Sequence, residues 1–203
     1  MVAAVPRRVG ILGGAFDPPH LAHVALAQVA IEQLQLDALR VIPTGQAWHK
    51  PRRLTPAVHR LALVELAFAS LPQAQVDARE TRRHGPSYTI DTLRELRAET
   101  PQALWFLIIG ADQAQALTTW QHWQEIVQSA TICVADRPHA TGAKAQFDAE
   151  IAYPGQFFHL RLPALDIDAT SIRQTVAARQ NVTPLVGSSV ARYIADHHLY
   201  LTS

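Results

Sequence analysis

The run GGAFDPPHLAH, from Gly13 to His23, sets two glycines just ahead of two imidazoles. Gly13 and Gly14 carry no Cβ, so backbone N–H groups there can approach an anionic ligand closely. A helix that follows such a turn adds free amides and the positive end of its dipole. His20 and His23 are three residues apart, on one helical face near the helix start, and both can donate to one phosphate. The chemistry implied is stabilisation of a pentacoordinate phosphorus. Asp17-Pro18-Pro19 fixes the loop ahead of the first histidine. A glycine pair alone or a histidine pair alone is common in turns and helix starts, and it is their conjunction that points to a phosphate site. His-x-x-His also offers two zinc ligands. Cys133 is the only cysteine, however, and neither HExxH nor Cys-x-x-Cys occurs, which argues against a structural zinc.

The elements that must position this turn follow from periodicity. Val9 to Leu12 is an apolar run read as a strand, and Leu21 to Leu34 reads as a helix with apolar Val24, Ala27, Ile31 and Leu34. Further strands are predicted over Leu39 to Ile42, Ala74 to Ala78, Leu104 to Ile109, Thr131 to Ala135 and Phe157 to Leu162. Thr55 is expected to cap a helix with Pro56 at its first position, running to about Ser70. Other helices are expected over Ser87 to Ala98, Trp120 to Gln128, Ser171 to Arg179 and Ser188 to His197. His139 to Gly155 has no clear period and reads as a surface excursion. The alternation predicts an α/β fold with a Rossmann-like doubly wound parallel sheet. One domain spans residues 1–203, with a C-terminal helical part over about 169–203 packed on it. In open parallel sheets a ligand sits beyond the carboxyl ends of the strands, which is where Gly13, Gly110 and Asp136-Arg137 fall.

More candidate chemistry lies at those ends. Asp168-Ala169-Thr170-Ser171-Ile172-Arg173 brings hydroxyls, exposed amides and a guanidinium to a late helix start, a setting for phosphates. Ser171 with Gln174 equally spells a capping box. Pro86-Ser87-Tyr88-Thr89 opens a helix whose free N–H donors suit a carboxylate, while Ser87 also suits a cap and Tyr88 packing. Asp112 can hold a ribose hydroxyl or cap the next helix. Trp120 can lie against a flat ring, and ordinary core packing is the reading for Trp123 on the same face. Lys50, Arg52 and Arg53 form a basic loop, and Arg137 can pair with Asp136.

These residues carry a resemblance. GGAFDPPHLAH resembles the (H/T)xGH signature of the nucleotidyltransferase superfamily, and GGAFDPPH is similar to its nicotinate-nucleotide adenylyltransferase branch. The resemblance covers nearly the whole chain, from Val9 to Tyr200, with further segments in family order. His49-Lys50 resembles the PPHK loop, Pro86 to Leu93 the PSYTxxTL segment, and Gly110 to Asp112 with Thr119-Trp120 the GxD and TW pair. Arg137-Pro138 resembles the RP turn, and Ile167 to Arg173 the ISSTxIR segment. The resemblance implies adenylyl transfer from ATP to nicotinate mononucleotide, giving nicotinate adenine dinucleotide and pyrophosphate, with Mg2+ delivered on the ATP. His20 and His23 are then catalytic. ATP is bound by Gly13, Gly14, Phe16, His23, Lys50, Arg137, Thr170, Ser171 and Arg173. The mononucleotide is bound by Ala15, Tyr88, Thr89, Gly110, Asp112 and Trp120. The chain departs from the family pattern at Ala22 and Asp168, where glycine and serine are usual, and at Trp48 in place of a proline. Asp168 would repel triphosphate unless it faces away or meets magnesium. Rival readings are a related enzyme that takes nicotinamide mononucleotide or a pantetheine phosphate, and a nucleotide-binding sensor without catalysis.

Composition bounds the rest. With 203 residues and 48% hydrophobic content the chain can bury a core. Eighteen basic against seventeen acidic residues, a formal charge of +1, argues against a nucleic-acid-binding surface, which shows a clustered basic excess. No apolar run reaches membrane-spanning length, and Met1 to Arg8 lacks the long apolar segment of a secretory signal. A single cysteine forbids an internal disulfide and fits the cytoplasm. The sequence is compatible with a homo-oligomer and sets no oligomeric state.

Overall fold

The computed structural model describes residues 5–45, 54–136 and 147–201. Six strands build its sheet: β1 (Arg8–Gly14), β2 (Ala38–Pro43), β3 (Ala74–Val76), β4 (Leu104–Gly110), β5 (Thr131–Asp136) and β6 (Phe157–Arg161). They lie in the order β3-β2-β1-β4-β5-β6, and every neighbouring pair is parallel. The chain therefore builds outward from β1 in one direction, then returns to the far side of β1 with β4. The order reverses between β1 and β4, and a crevice opens there at the carboxyl ends of the strands.

Helices cover both faces: α1 (Leu21–Gln33), α2 (Ala57–Phe68), α3 (Arg79–Arg82), α4 (Thr89–Glu99), α5 (Ala111–Gln115), α6 (Trp123–Ser129) and α7 (Asp148–Ala152). Three more, α8 (Ala169–Ala177), α9 (Thr183–Val186) and α10 (Ser188–Asp196), follow the sheet. Alternate strand residues divide between two cores, as a period of two requires. Val9, Ile11, Trp105, Leu107, Ile109, Ile132 and Val134 pack beneath α4 and α6. Leu12, Phe106, Ile108 and Cys133 face the opposite side with α1 and α2. A third cluster joins Leu63 of α2 to Ile172, Val176, Val186, Val190 and Ile194, so the last three helices are fastened to the body through α2.

Three helices end in the same backbone motif without glycine. After α1, α8 and α10 a residue in the left-handed region follows the cap: Gln35 (φ 49), Arg179 (φ 57) and His198 (φ 50). The next amide then reaches back to the helix, Leu36 to Ile31, Gln180 to Thr175 and Leu199 to Ile194, at 3.0 Å each. This satisfies carbonyls that a bare helix end leaves open.

Several boundaries differ from the sequence expectation. Pro56, not Thr55, is the residue before α2, with an extended ψ of 140 and no side-chain cap, and the helix stops at Phe68 rather than near Ser70. Helix α8 starts two residues ahead of Ser171 because Asp168 caps it, accepting from the Thr170 and Ser171 amides. The expected Ser171–Gln174 capping box is not formed. Ser87 does not cap α4; Tyr88 precedes it. Trp120 closes a short 3-10 turn, Leu117–Thr119, and the helix opens only at Trp123, so the two tryptophans do not share a helical face. Within the predicted excursion, residues 147–155 are ordered around α7. The short helices α3 and α9 had no expectation.

Candidate active site

Strand β1 delivers its turn into the crevice. A Cβ at Gly13 would meet nothing within 4 Å, so this backbone faces open space, whereas one at Gly14 would touch the Phe16 ring at 3.2 Å. Phe16 takes a left-handed φ of 48 and is almost wholly buried, edge-on to His23 at 5.0 Å and to Phe68 at 6.0 Å between ring centres. The strain of that φ is held by packing on both sides.

His20 is not inside α1 but caps it, with extended backbone and 7% exposure. Its amide donates to Nδ1 of His23 at 3.2 Å. His23 thereby fills the place that glutamate or glutamine takes in a capping box, reaching back from the third helical position. Accepting at Nδ1, a neutral His23 carries its proton on Nε2, which makes that nitrogen a donor. The two imidazole rings lie in contact with centres 3.7 Å apart and planes tilted by 34°. The pair is thus set by the helix start itself.

A cleft of about 1720 Å3 lies over this pair and collects most of the predicted residues. From the β1 turn it takes Gly13, Gly14, Ala15 and Phe16, and from the start of α1 His20, Ala22 and His23. Tyr88 and Thr89 reach it from the start of α4, Gly110 and Asp112 from the end of β4, and Trp120 from the turn before α6. Thr170 and Arg173 of α8 close the far side. Ser171 is the exception. Its hydroxyl donates to Asp168 at 2.6 Å and it does not line the cleft. Lys50 and Arg137 lie outside the described residues.

Asp168 occupies the anion position of α8. It accepts the Thr170 amide at 2.8 Å, the Ser171 amide at 3.0 Å and the Ser171 hydroxyl. Those bonds, the hydroxyl's first, hold its carboxyl below the usual range, and nearby His20 adds to the effect. The carboxylate is thus engaged by its own helix start, although Asp168 also lines the cleft. Arg173 donates to the Asp17 carbonyl at 2.9 Å and to the Thr170 hydroxyl at 3.0 Å, bracing α8 against the β1 turn. Trp123 packs edge-on to Tyr153 at 5.7 Å, the core role expected of it. Asp112 sits in the first turn of α5 and accepts from Gln113 at 3.1 Å; Gly110 precedes that helix.

Sequence reasoning missed three buried groups. Asp17, which the sequence marks only as part of the loop ahead of His20, is buried, and so is Arg60 on the inner face of α2. Glu80 is buried against the cleft, accepts from the Thr92 hydroxyl at 2.8 Å, and has its carboxyl pushed up by burial. Only a polar residue recurring at apolar helix spacing could have signalled Arg60. Among the described residues no three His, Cys, Asp or Glu side chains gather as a metal cage. No helix among them is long and apolar enough to cross a membrane.

Residues 11–175 match the model of the cytidylyltransferase-like family. A "Probable nicotinate-nucleotide adenylyltransferase" of Albidiferax ferrireducens is 58% identical over 97% of this chain and 100% of its own length. A protein of the same description from Methylibium petroleiphilum is 42% identical, over 98% of this chain and 95% of the relative. The fold is also similar to that of the Plasmodium falciparum nicotinic acid mononucleotide adenylyltransferase complexed with NaAD, with TM-score 0.76 at 16% identity, over 96% of this chain and 97% of that one.

Proposed function

The chain belongs to the cytidylyltransferase-like family and, within it, to the nicotinate-nucleotide adenylyltransferases, and from that premise we propose that it joins ATP to nicotinate mononucleotide. A 5′-phosphate oxygen of the mononucleotide attacks the α-phosphorus of ATP in line. The bond to the bridging oxygen breaks, pyrophosphate leaves, and nicotinate adenine dinucleotide forms. No base is needed, since the attacking phosphate is already an anion. The protein's task is positioning and neutralising charge.

The observation that carries this reading is the close His20–His23 pair at the reversal point of the sheet, over an open glycine turn. In our reading these two imidazoles donate to the α-phosphate as its charge grows, the term worth most in such reactions. The amides of Gly13 and Gly14 face the phosphates. Arg173 and Thr170, with Lys50 and Arg137, complete the ATP side, and magnesium enters as part of the Mg–ATP substrate. Across the cleft, the first amides of α4 at Thr89 precede any intrahelical bond and suit the nicotinate carboxylate. Trp120 offers its face to the pyridine ring, and Asp112 a carboxylate to a ribose hydroxyl. The single thiol fits a reducing cytoplasm: Cys133 is buried, with its pKa pushed up to about 12 by that burial.

Side-by-side turnover of nicotinate mononucleotide, nicotinamide mononucleotide and 4′-phosphopantetheine with Mg–ATP, followed by pyrophosphate release, tests the reading. The acid is expected to be turned over fastest. Preference for another acceptor reassigns the substrate, and nucleotide binding by calorimetry without any pyrophosphate makes the protein a sensor.

A further inference from the structure

Beneath the β1 turn lies a polar lattice centred on Arg60, a residue that does not line the cleft. Arg60 is 2% exposed, yet its guanidinium is engaged on three sides. Nε donates to the Thr55 carbonyl at 2.9 Å, one terminal nitrogen to the Ala15 carbonyl at 2.9 Å, and the other to the Gly45 carbonyl at 3.4 Å. Those carbonyls belong to three separate segments: the turn after β1, the loop after β2 and the entry to α2. Burial lowers the affinity of this guanidinium for its proton, and the Asp17 carboxylate and Tyr200 act to restore it. Asp17 is itself 3% exposed, accepting the Thr55 amide at 3.2 Å and the Tyr200 hydroxyl at 2.8 Å. Tyr200 arrives from the other end of the sequence, through the left-handed His198 and its own φ of 63.

We infer that Tyr200 is a positioning residue for adenylyl transfer, acting through Asp17 and Arg60 on the loop that carries His20. The inference rests on the reaction proposed above. A buried charge is costly wherever apolar packing would serve, so this lattice is poorly explained as filler. Three of its bonds end on Ala15 or Asp17, in the loop just ahead of His20, and Arg173 adds a fourth at the Asp17 carbonyl. Charge stabilisation fails when the donor is misplaced by even an ångström. The ring of Tyr200 packs on the cluster between α2 and the last helices, so its fold contribution is separable from that of its hydroxyl.

Tyr200→Phe keeps the ring and removes one hydrogen bond to a buried carboxylate. Its kcat should fall about tenfold, with KM for both substrates changed by less than about twofold and Tm shifted by only a few degrees. In an Asp17→Asn background the same substitution should cost much less, because the two act on one bond. Arg60→Lys, which keeps the charge but not the fork, should lose more than Tyr200→Phe. A Tm drop with unchanged kcat in the folded protein, or losses that simply add in the double variant, overturns the inference. Wild-type turnover in the same assay checks the reaction separately. Should wild type release no pyrophosphate, the imidazole resonances of His20 and His23 still report: they shift in Tyr200→Phe, and unmoved resonances sink the positioning role.

Discussion

His20 and His23 bear different structural loads although the sequence presents them alike. His20 is a helix cap in extended backbone, while His23 is helical and supports that cap through Nδ1. Replacing either by alanine should lower kcat by about 100- to 1000-fold, the usual loss of one oxyanion donor, with circular dichroism unchanged. His23→Ala should also destabilise slightly more on heating than His20→Ala, since it leaves the His20 amide unpaired. Glu80 makes a contrasting prediction about pH. Its folded pKa is raised, so its stabilising balance is fullest below the unfolded value near pH 4.3 and is lost as pH rises through the folded one. Glu80→Gln should therefore melt a few degrees above wild type at about pH 8 and match it near pH 4. Residues of the quoted motifs were legible because glycines and histidines stand there in one short run between a predicted strand and a predicted helix. Arg60 and Glu80 were not, since their meaning lies in carbonyls and hydroxyls contributed by distant loops.

Strands were readable to within one or two residues, because a parallel sheet buried on both faces demands unbroken apolar runs such as Leu104–Gly110. Helix starts were less so. A cap is decided by which side chain turns back on the first amides, and at α8 that is Asp168 rather than the serine three residues on. Asp168→Ala should cost about 1 kcal/mol at neutral pH in urea unfolding. Because its folded pKa is depressed, the cap's contribution exists above the unfolded value near 3.9 and disappears as pH falls through the folded one, so variant and parent should converge in acid. The helix ends argue in the opposite sense. Gln35 adopts a left-handed backbone that glycine takes without strain, and Gln35→Gly should stabilise by about 0.5–1 kcal/mol. At the β1 turn, Gly13→Ala has room to fold, so a raised KM for ATP with an unchanged Tm is the expected outcome.

At the scale of the molecule, the doubly wound order was legible from the alternation of elements, whereas the fastening of the last helices was not. That fastening depends on Leu63, a residue of α2 that faces away from the sheet into the third cluster. Ile172→Ala should cost about 2–5 kcal/mol there and, through the neighbouring Arg173, depress turnover before the sheet itself melts. The centre of the sheet also has a temporal meaning. Arg8 pairs with Leu104, so a chain leaving the ribosome has both histidines long before it has a second wall to face them. Tyr200, one of the partners of Asp17, follows later still in the chain. A fragment that stops short of β4 thus holds both imidazoles without the strand that forms the other side of their crevice.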